Sequence, residues 1–209
     1  MKARPPRTGL WMGGALLIAL LLGAGTLLLL GIGEKGTYTA IRITARWSYC
    51  FFWPAYTGGP LAVLFGSRFQ PVARRGRELG LAFAAAHLAH IGLVAWLYHI
   101  ASKPPIPTSA AVFFGIALGF TYLIALLSIP RLAAALPRWL WRTILIVGME
   151  IIALAFLRDF LHDPFVHGIA RILFRLPFAV LAIAAALLRI TAYGVKLRLS
   201  LRHSRAIPL

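Results

Sequence analysis

The chain alternates between long apolar runs and short connectors that are polar or rich in proline. Six runs have the length of membrane spans, and they cover residues 10–32, 47–65, 77–101, 108–129, 139–160 and 176–193. An α-helix rises about 1.5 Å per residue, so about 20 residues cross a hydrocarbon core of about 30 Å. The pattern therefore predicts an all-α fold, with one transmembrane domain over residues 1–209 that forms a bundle of six transmembrane helices.

The connectors carry further predictions. Residues 34–46 are polar, which predicts a connector outside the membrane, and the three prolines in residues 102–107 predict a rigid turn. In residues 165–175, His167, Arg171 and Arg175 recur every four residues. This spacing predicts a helix that lies at the membrane surface.

The second run is the least regular of the six. It is interrupted by two prolines and two glycines, Pro54, Gly58, Gly59 and Pro60. Breaks of this kind persist in a membrane only where neighbouring helices or polar groups satisfy the freed backbone atoms. We therefore expect a polar partner for the backbone of this run.

Composition indicates an integral membrane protein. Apolar residues make up 60% of the chain and charged residues 13%, which is too apolar for a water-soluble domain of 209 residues. The net charge of +17 does not indicate nucleic-acid binding, because basic and aromatic residues do not share a polar face. The expected partner is the lipid bilayer. The single cysteine, Cys50, excludes an intramolecular disulfide and a cysteine-ligated cluster within this chain.

Basic residues indicate the orientation of the predicted spans. With six crossings, fifteen of the 22 Lys and Arg residues fall on the side of both termini, and seven fall on the other side. Loops rich in Lys and Arg stay in the cytoplasm. We therefore expect a protein of the bacterial inner (plasma) membrane with both termini in the cytoplasm.

Three ionisable residues lie inside the apolar runs. His87 and His90 are ten and thirteen residues into the third run, and Glu150 is eleven residues into the fifth, which crosses in the same direction. All three are expected near the midplane, where an ionisable side chain is costly and points into the bundle. We expect a contact between Glu150 and one of the histidines. Three interpretations are open: a hydrogen bond that fixes helix packing, a proton or redox site, or side chains that snorkel toward the membrane surface.

The two midplane histidines are candidate ligands. Neutral imidazole is a good axial ligand of haem iron, and an apolar bundle shields the porphyrin. His87 and His90 therefore predict a haem or quinone site. Because they are three residues apart on one helix, they cannot bind opposite faces of one iron, and no facing helix supplies a histidine at matching depth.

Two alternatives use residues expected near the external face of the membrane. One is a peripheral haem held by His99 together with His162 or His167. The other is a zinc site that adds an aspartate, Asp159 or Asp163, to the same histidines. Neither alternative has the spacing of a metal-binding motif.

Several short motifs resemble one membrane family. Residues 74–81 read Arg-Arg-Gly-Arg-Glu-Leu-Gly-Leu and precede a helix that contains alanines, aromatic residues and His90. Pro-Leu, Ala-Leu-Leu-Ser and Pro-Arg-Trp occur in matching places, at residues 60–61, 125–128 and 137–139. Over residues 40–200 the chain resembles the ferric-reductase-like transmembrane family, in particular the haem-b membrane subunit of methionine-sulfoxide reductase systems.

The resemblance implies a ligand set for haem b. In that family one histidine of the third helix and two of the fifth bind the haem, and electrons pass from quinol or a flavin to an acceptor across the membrane. His90 lies at the third-helix ligand position. The fifth-helix positions hold Thr143 and, near the second, Phe156, and neither side chain can replace imidazole on low-spin iron. We therefore expect the family fold with degenerate haem b binding, or with a single haem at His90.

The expected function is that of a membrane electron-transfer subunit of an oxidoreductase, with a quinone and a redox partner protein as partners. Its site would include His87, His90 and the intramembrane polar residues Glu150 and Thr143. The alternative is a non-redox membrane scaffold or binding subunit on the same fold. The sequence has no glycine-rich phosphate loop, no Gly-x-Ser-x-Gly motif and no His-Glu-x-x-His motif, so it indicates no other catalytic class.

Overall fold

The computed structural model describes residues 8–161 and 169–205. These residues are almost entirely helical, and no β-strand occurs among them, which confirms the predicted all-α class. In chain order the helices are α1 (Thr8–Leu30), α2 (Glu34–Phe65), α3 (Gln70–Arg74), α4 (Gly76–Ile100), α5 (Thr108–Leu127), α6 (Pro130–Ala134), α7 (Arg138–Leu161) and α8 (Ile169–Arg205). A 3-10 turn, Gly66–Phe69, joins α2 to α3.

Four segments in the described part of the chain are long and apolar enough to cross a membrane. They are Thr8–Leu30, Gly76–Ile100, Thr108–Leu127 and Phe174–Leu201, and they are compatible with a membrane protein. Helices α2 and α7 have 32 and 24 residues. Both carry charged residues, which include Arg42 and Arg46 in α2 and Glu150 in α7. The two further crossings that the sequence predicts, in α2 and α7, therefore stay a prediction.

Glycine and proline mark the ends of several helices. Helix α1 ends at Leu30, because Gly31 adopts a left-handed φ of 83° and its N–H donates to the carbonyl of Leu27 at 2.8 Å. Gly66, with φ of 76°, follows the last residue of α2. Residues 102–107 separate α4 from α5, as their prolines predict.

The segment predicted as a polar connector, residues 34–46, is helical and forms the beginning of α2. Its hydroxyl groups bond to carbonyls earlier in the chain: Thr44 donates to Ala40 inside the helix at 2.9 Å, and Thr37 donates to Ile32, just before the helix, at 3.3 Å. Thr37 and Thr44 are fully buried. Small hydroxyl side chains can be buried without an outside partner when they bond back to the preceding turn. The predicted connector is therefore helical, and its position outside the membrane stays a prediction.

The predicted surface helix, residues 165–175, is only partly covered by the described residues. Residues 165–168 lie outside them. Residues 169–175 are the first turns of α8, which continues without interruption to Arg205.

The chain divides into two compact units. The first is Met1–Phe52 with Arg77–Ala155. Its core includes a cluster of buried alanines from α1 and α4, namely Ala15, Ala19, Ala82, Ala86 and Ala89. Small residues allow helix backbones to approach closely. Trp47 of α2 packs against this cluster, and its indole N–H donates to the carbonyl of Ala15 at 2.9 Å, which ties α2 to α1.

The second unit is Trp53–Gly76 with Phe156–Leu209. Gly58 of α2 lies against α3, where an added Cβ would be 3.1 Å from Val72 Cγ1 and 3.2 Å from Ala73 N. The indole N–H of Trp53 donates to the carbonyl of Leu181 on α8 at 2.9 Å. The almost fully buried Phe160 has its ring centroid 5.5 Å from that of Phe178. These contacts pack both α3 and α8 against other segments of this unit.

The prolines do not end α2. Pro54 and Pro60 both lie inside the helix. Pro60 has no N–H, so it cannot donate to the carbonyl of Tyr56, four residues earlier. Arg189 of α8 donates to that carbonyl instead. The expected polar partner of this run is therefore a side chain from α8.

Candidate functional site

The candidate site is built on His87 and His90 of α4, in the first unit. Their rings are stacked, with centroids 4.8 Å apart and planes 20° from parallel. Phe83 extends the row by one helical turn, since its ring centroid is 5.3 Å from that of His87. Both histidines are half-buried. The two imidazoles thus share one face of α4, as their three-residue spacing predicts.

Helix α2 fixes the tautomer of His90. The Nδ1 atom of His90 lies 3.1 Å from the carbonyl oxygen of Ile41. A carbonyl oxygen can only accept, so Nδ1 carries the proton and donates it. In the neutral ring the lone pair is then on Nε2, across the ring from Nδ1. A hydrogen bond from Nδ1–H to a backbone carbonyl is the arrangement that orients histidines whose Nε2 binds a metal.

Helix α2 also faces His87. The hydroxyl of Ser48 lies 3.4 Å from Nδ1 of His87 and donates its own proton to the carbonyl of Ala45 at 2.8 Å. Because that proton is already used, the Ser48 oxygen accepts from Nδ1–H of His87. The distance is long, so this hydrogen bond is weaker than the one made by His90. Both imidazoles therefore direct Nδ1–H toward α2, which in a neutral ring leaves Nε2 as the nitrogen without a proton.

Two residues of α2 that orient the histidines, Ile41 and Ser48, were not predicted from the sequence. Ile41 lies in the segment predicted as a connector, and Ser48 was assigned no role. A usable signal was present, because small residues recur every three or four positions, at Thr37, Ala40, Thr44 and Ser48. All four of these side chains are fully buried. This spacing marks one face of a helix that is packed against other helices.

Glu150 is half-buried in α7. The hydrogen bonds described above join both histidines to α2. The contact of Glu150 with one of them stays a prediction. Two residues earlier, α7 packs tightly against α5. A Cβ added at Gly148 would lie 2.7 Å from Ile124 Cδ1 and 2.8 Å from Phe120 Cδ1.

The two positions that the resemblance assigns to fifth-helix ligands hold no nitrogen ligand. Thr143 is exposed, and its hydroxyl donates to the carbonyl of Trp139 at 3.0 Å. Phe156 is buried in the other unit, with its ring centroid 5.7 Å from that of Phe160. The residues at these two positions therefore do not fit the three-histidine set of the family, and haem binding through His90 alone stays a prediction.

The other predicted metal ligands give no assembled site in the described part of the chain. His99 is exposed, and its ring centroid is 5.7 Å from that of Trp96. His162, Asp163 and His167 lie outside the described residues. Within residues 8–161 and 169–205, no group of three or more His, Cys, Asp or Glu side chains could hold a metal ion. The peripheral haem and the zinc site stay predictions.

A separate apolar cavity of about 250 Å³ lies in the first unit, between α1, α4 and α5. Its lining includes Leu16, Leu88 and Tyr122, and the Tyr122 hydroxyl donates to the carbonyl of Ala84 at 3.5 Å. The cavity therefore offers apolar contact and one phenol group.

Comparisons of the chain with protein-family models, with curated proteins and with solved structures found no match.

Proposed function

We propose that the chain is a membrane electron-transfer subunit of the ferric-reductase-like type that binds at most one haem b, through His90. The observation that carries this proposal is the hydrogen bond from His90 Nδ1–H to the carbonyl of Ile41. It holds the ring in the tautomer that presents Nε2 as a ligand. A haem bound there would accept and pass on single electrons.

The proposal includes six crossings, made by α1, α2, α4, α5, α7 and α8, in a bacterial inner membrane with both termini in the cytoplasm. Support comes from the lengths of α2 and α7, since 32 and 24 residues are enough to span the hydrocarbon core. The excess of basic residues on one side of that arrangement supports the orientation. A quinone and a redox partner protein complete the proposed electron path.

His87 has a supporting role in this proposal. Its ring stacks on that of His90, and its Nδ1–H is directed at Ser48. In this proposal His87 takes up one of the two protons that a neighbouring quinol releases on oxidation, and water takes up the other, while the two electrons leave singly toward the redox partner. Stacking on a second aromatic ring also limits rotation of the His90 ring.

Absorption spectroscopy tests the haem. The protein is purified in mild detergent, and the spectrum after dithionite reduction is compared with the oxidised spectrum. We expect a Soret band that is lost in His90→Ala and kept in His99→Ala, which alters an exposed histidine of the same helix. A wild-type preparation that is folded and monodisperse but shows no Soret band after incubation with haemin and removal of unbound haemin contradicts haem binding at His90 and the redox function with it.

The second candidate is a non-redox membrane scaffold. It is favoured by the fact that the same histidine bonds join α4 to α2, together with the bond from Trp47 to Ala15 that joins α2 to α1. His90→Asn separates the two candidates, because the Asn amide can still donate to the Ile41 carbonyl but is a poor ligand for haem iron. If the chain is a scaffold, His90→Asn leaves both the stability and the absorption spectrum unchanged. If it is a redox subunit, His90→Asn leaves the stability unchanged but removes the haem absorption.

A further inference from the structure

The last part of α8 combines basic residues with exposed leucines. Residues 196–205 read Lys-Leu-Arg-Leu-Ser-Leu-Arg-His-Ser-Arg, with four basic residues and no acidic residue. The segment is helical throughout and overlaps the end of Phe174–Leu201, the stretch of α8 that is long and apolar enough to cross a membrane. Leu197, Leu199 and Leu201 are 61%, 50% and 53% exposed. A helix with this composition is poorly suited to bulk water.

The length of α8 places this segment at the membrane surface. The helix has 37 residues, so at about 1.5 Å per residue it is about 55 Å long, against about 30 Å for the hydrocarbon core. If the core begins near Leu176, about 20 residues bring the chain to Lys196. Lys196 and Arg198 are both exposed, and with the core placed in this way they reach the level of the lipid phosphates.

Arg189 of α8 is not one of the basic residues assigned to the membrane surface. It is deeper in the helix by about two turns, and its guanidinium lies 4.4 Å above the ring of Tyr56 and 5.5 Å from that of Tyr193. Its charge is therefore held against aromatic rings and a backbone carbonyl. The basic residues beyond it, in contrast, recur along a continuing helix, with Arg198, Arg202 and Arg205 at intervals of four and three residues. Residues at such intervals share one helix face.

We infer that residues 196–205 form a binding surface for the phosphate groups of anionic phospholipids, in the leaflet at the carboxyl-terminal end of α8. The leucines contact the upper acyl chains, and the basic residues pair with phosphates. Clusters of four or more Lys and Arg next to a membrane span attract anionic lipids, with a factor of about five in local partitioning for each basic residue. The inference requires only that α8 crosses the bilayer, and it is independent of the histidine site.

The test compares thermal unfolding of the full chain in two kinds of nanodisc. One contains phosphatidylcholine alone, and the other contains about one third phosphatidylglycerol. We expect a higher midpoint in the anionic discs, with most of the difference removed when NaCl is raised from about 50 mM to about 500 mM, because salt screens the attraction. For each variant, the midpoint in the anionic discs is compared with the midpoint of the same variant in phosphatidylcholine discs. A general loss of stability therefore cancels from this difference.

Two variants locate the surface. The first replaces Lys196, Arg198, Arg202 and Arg205 by Gln, and it should lose at least half of the midpoint difference. The second replaces four basic residues outside α8 by Gln, all exposed, and should keep the difference; these are Arg68, Arg74, Arg75 and Arg131. Equal losses in both variants, or no lipid-dependent difference in the wild type, overturn the inference.

Lipid retention gives a second measurement that does not depend on unfolding. The proteins are extracted from mixed bilayers, and the bound lipids are counted by mass spectrometry. We expect phosphatidylglycerol to be enriched over its share of the bilayer by at least about twofold in the wild type. The enrichment should fall toward one in the first variant only. Enrichment that persists in that variant shows that the lipids bind elsewhere and overturns the inference.

Discussion

The Nη1 atom of Arg189 on α8 donates a hydrogen bond to the backbone carbonyl of Tyr56 on α2, at 3.3 Å. That carbonyl is the one that Pro60 leaves without its usual helical donor. The guanidinium carbon also lies 4.4 Å above the centre of the Tyr56 ring. One side chain thus compensates a proline inside α2 and attaches α8 to it.

We expect Arg189→Met to lower the free energy of unfolding by about 1–3 kcal/mol, because it leaves a backbone carbonyl unsatisfied. The cost should be smaller in a Pro60→Ala background, since alanine at this position restores the N–H that reaches the Tyr56 carbonyl. Unfolding of the single and double variants in detergent micelles measures the coupling. Arg131→Met, which alters an exposed arginine outside α8, is the control. Equal costs of Arg189→Met in both backgrounds would show that Pro60 and Arg189 are independent.

Two adjacent glycines of α2 should respond differently to alanine. A Cβ at Gly58 would meet the backbone nitrogen of Ala73 at 3.2 Å, whereas a Cβ at Gly59 has no described atom within 4 Å. Backbone cannot move aside cheaply, so Gly58→Ala should cost about 1–3 kcal/mol. Gly59→Ala should be neutral or stabilise by up to about 1 kcal/mol, because alanine favours the helix. Thermal unfolding of both variants decides, and similar midpoints would contradict the contact between α2 and α3.

A second glycine pair tests the packing of α7 against α5. Gly148→Ala places a methyl group 2.7 Å from the Ile124 side chain and 2.8 Å from that of Phe120. We expect a loss of about 1–3 kcal/mol from this overpacking, reduced when Phe120 is also replaced by Leu. Gly119→Ala, on α5, is the control, since the described structure leaves open space at its Cβ. If the two substitutions have equal effects on the unfolding midpoint, α7 does not approach α5 at Gly148.

The indole hydrogen bond between α2 and α1 gives another measurable difference. Trp47→Phe keeps an aromatic ring at this position but removes the N–H that donates to Ala15. We expect a loss of about 0.5–1.5 kcal/mol, the usual net value of one such bond. Trp139→Phe alters a 69% exposed residue and should have little effect. An unchanged midpoint for Trp47→Phe would show that the bond contributes nothing to the stability of the protein.

The local pattern of residues determined the helical class and much of the site. Apolar runs of about 20 residues can satisfy their backbone only as helices in an apolar medium, so the helices could be read from the sequence. The three-residue spacing of His87 and His90 put both rings on one face of α4, and they are stacked there. Pro54 and Pro60 predicted that the second run needs a polar partner, without saying which residue provides it.

Only the tertiary structure decided the partners. Arg189 is far from Tyr56 in the sequence, and so are His90 from Ile41 and Trp47 from Ala15; each bond depends on which helices come together. The hydroxyl of Thr44, in the polar stretch at the start of α2, is buried because the preceding turn of the helix satisfies it, which composition does not reveal. Periodicity is a property of neighbouring residues, whereas a hydrogen-bond partner is a property of the packed chain.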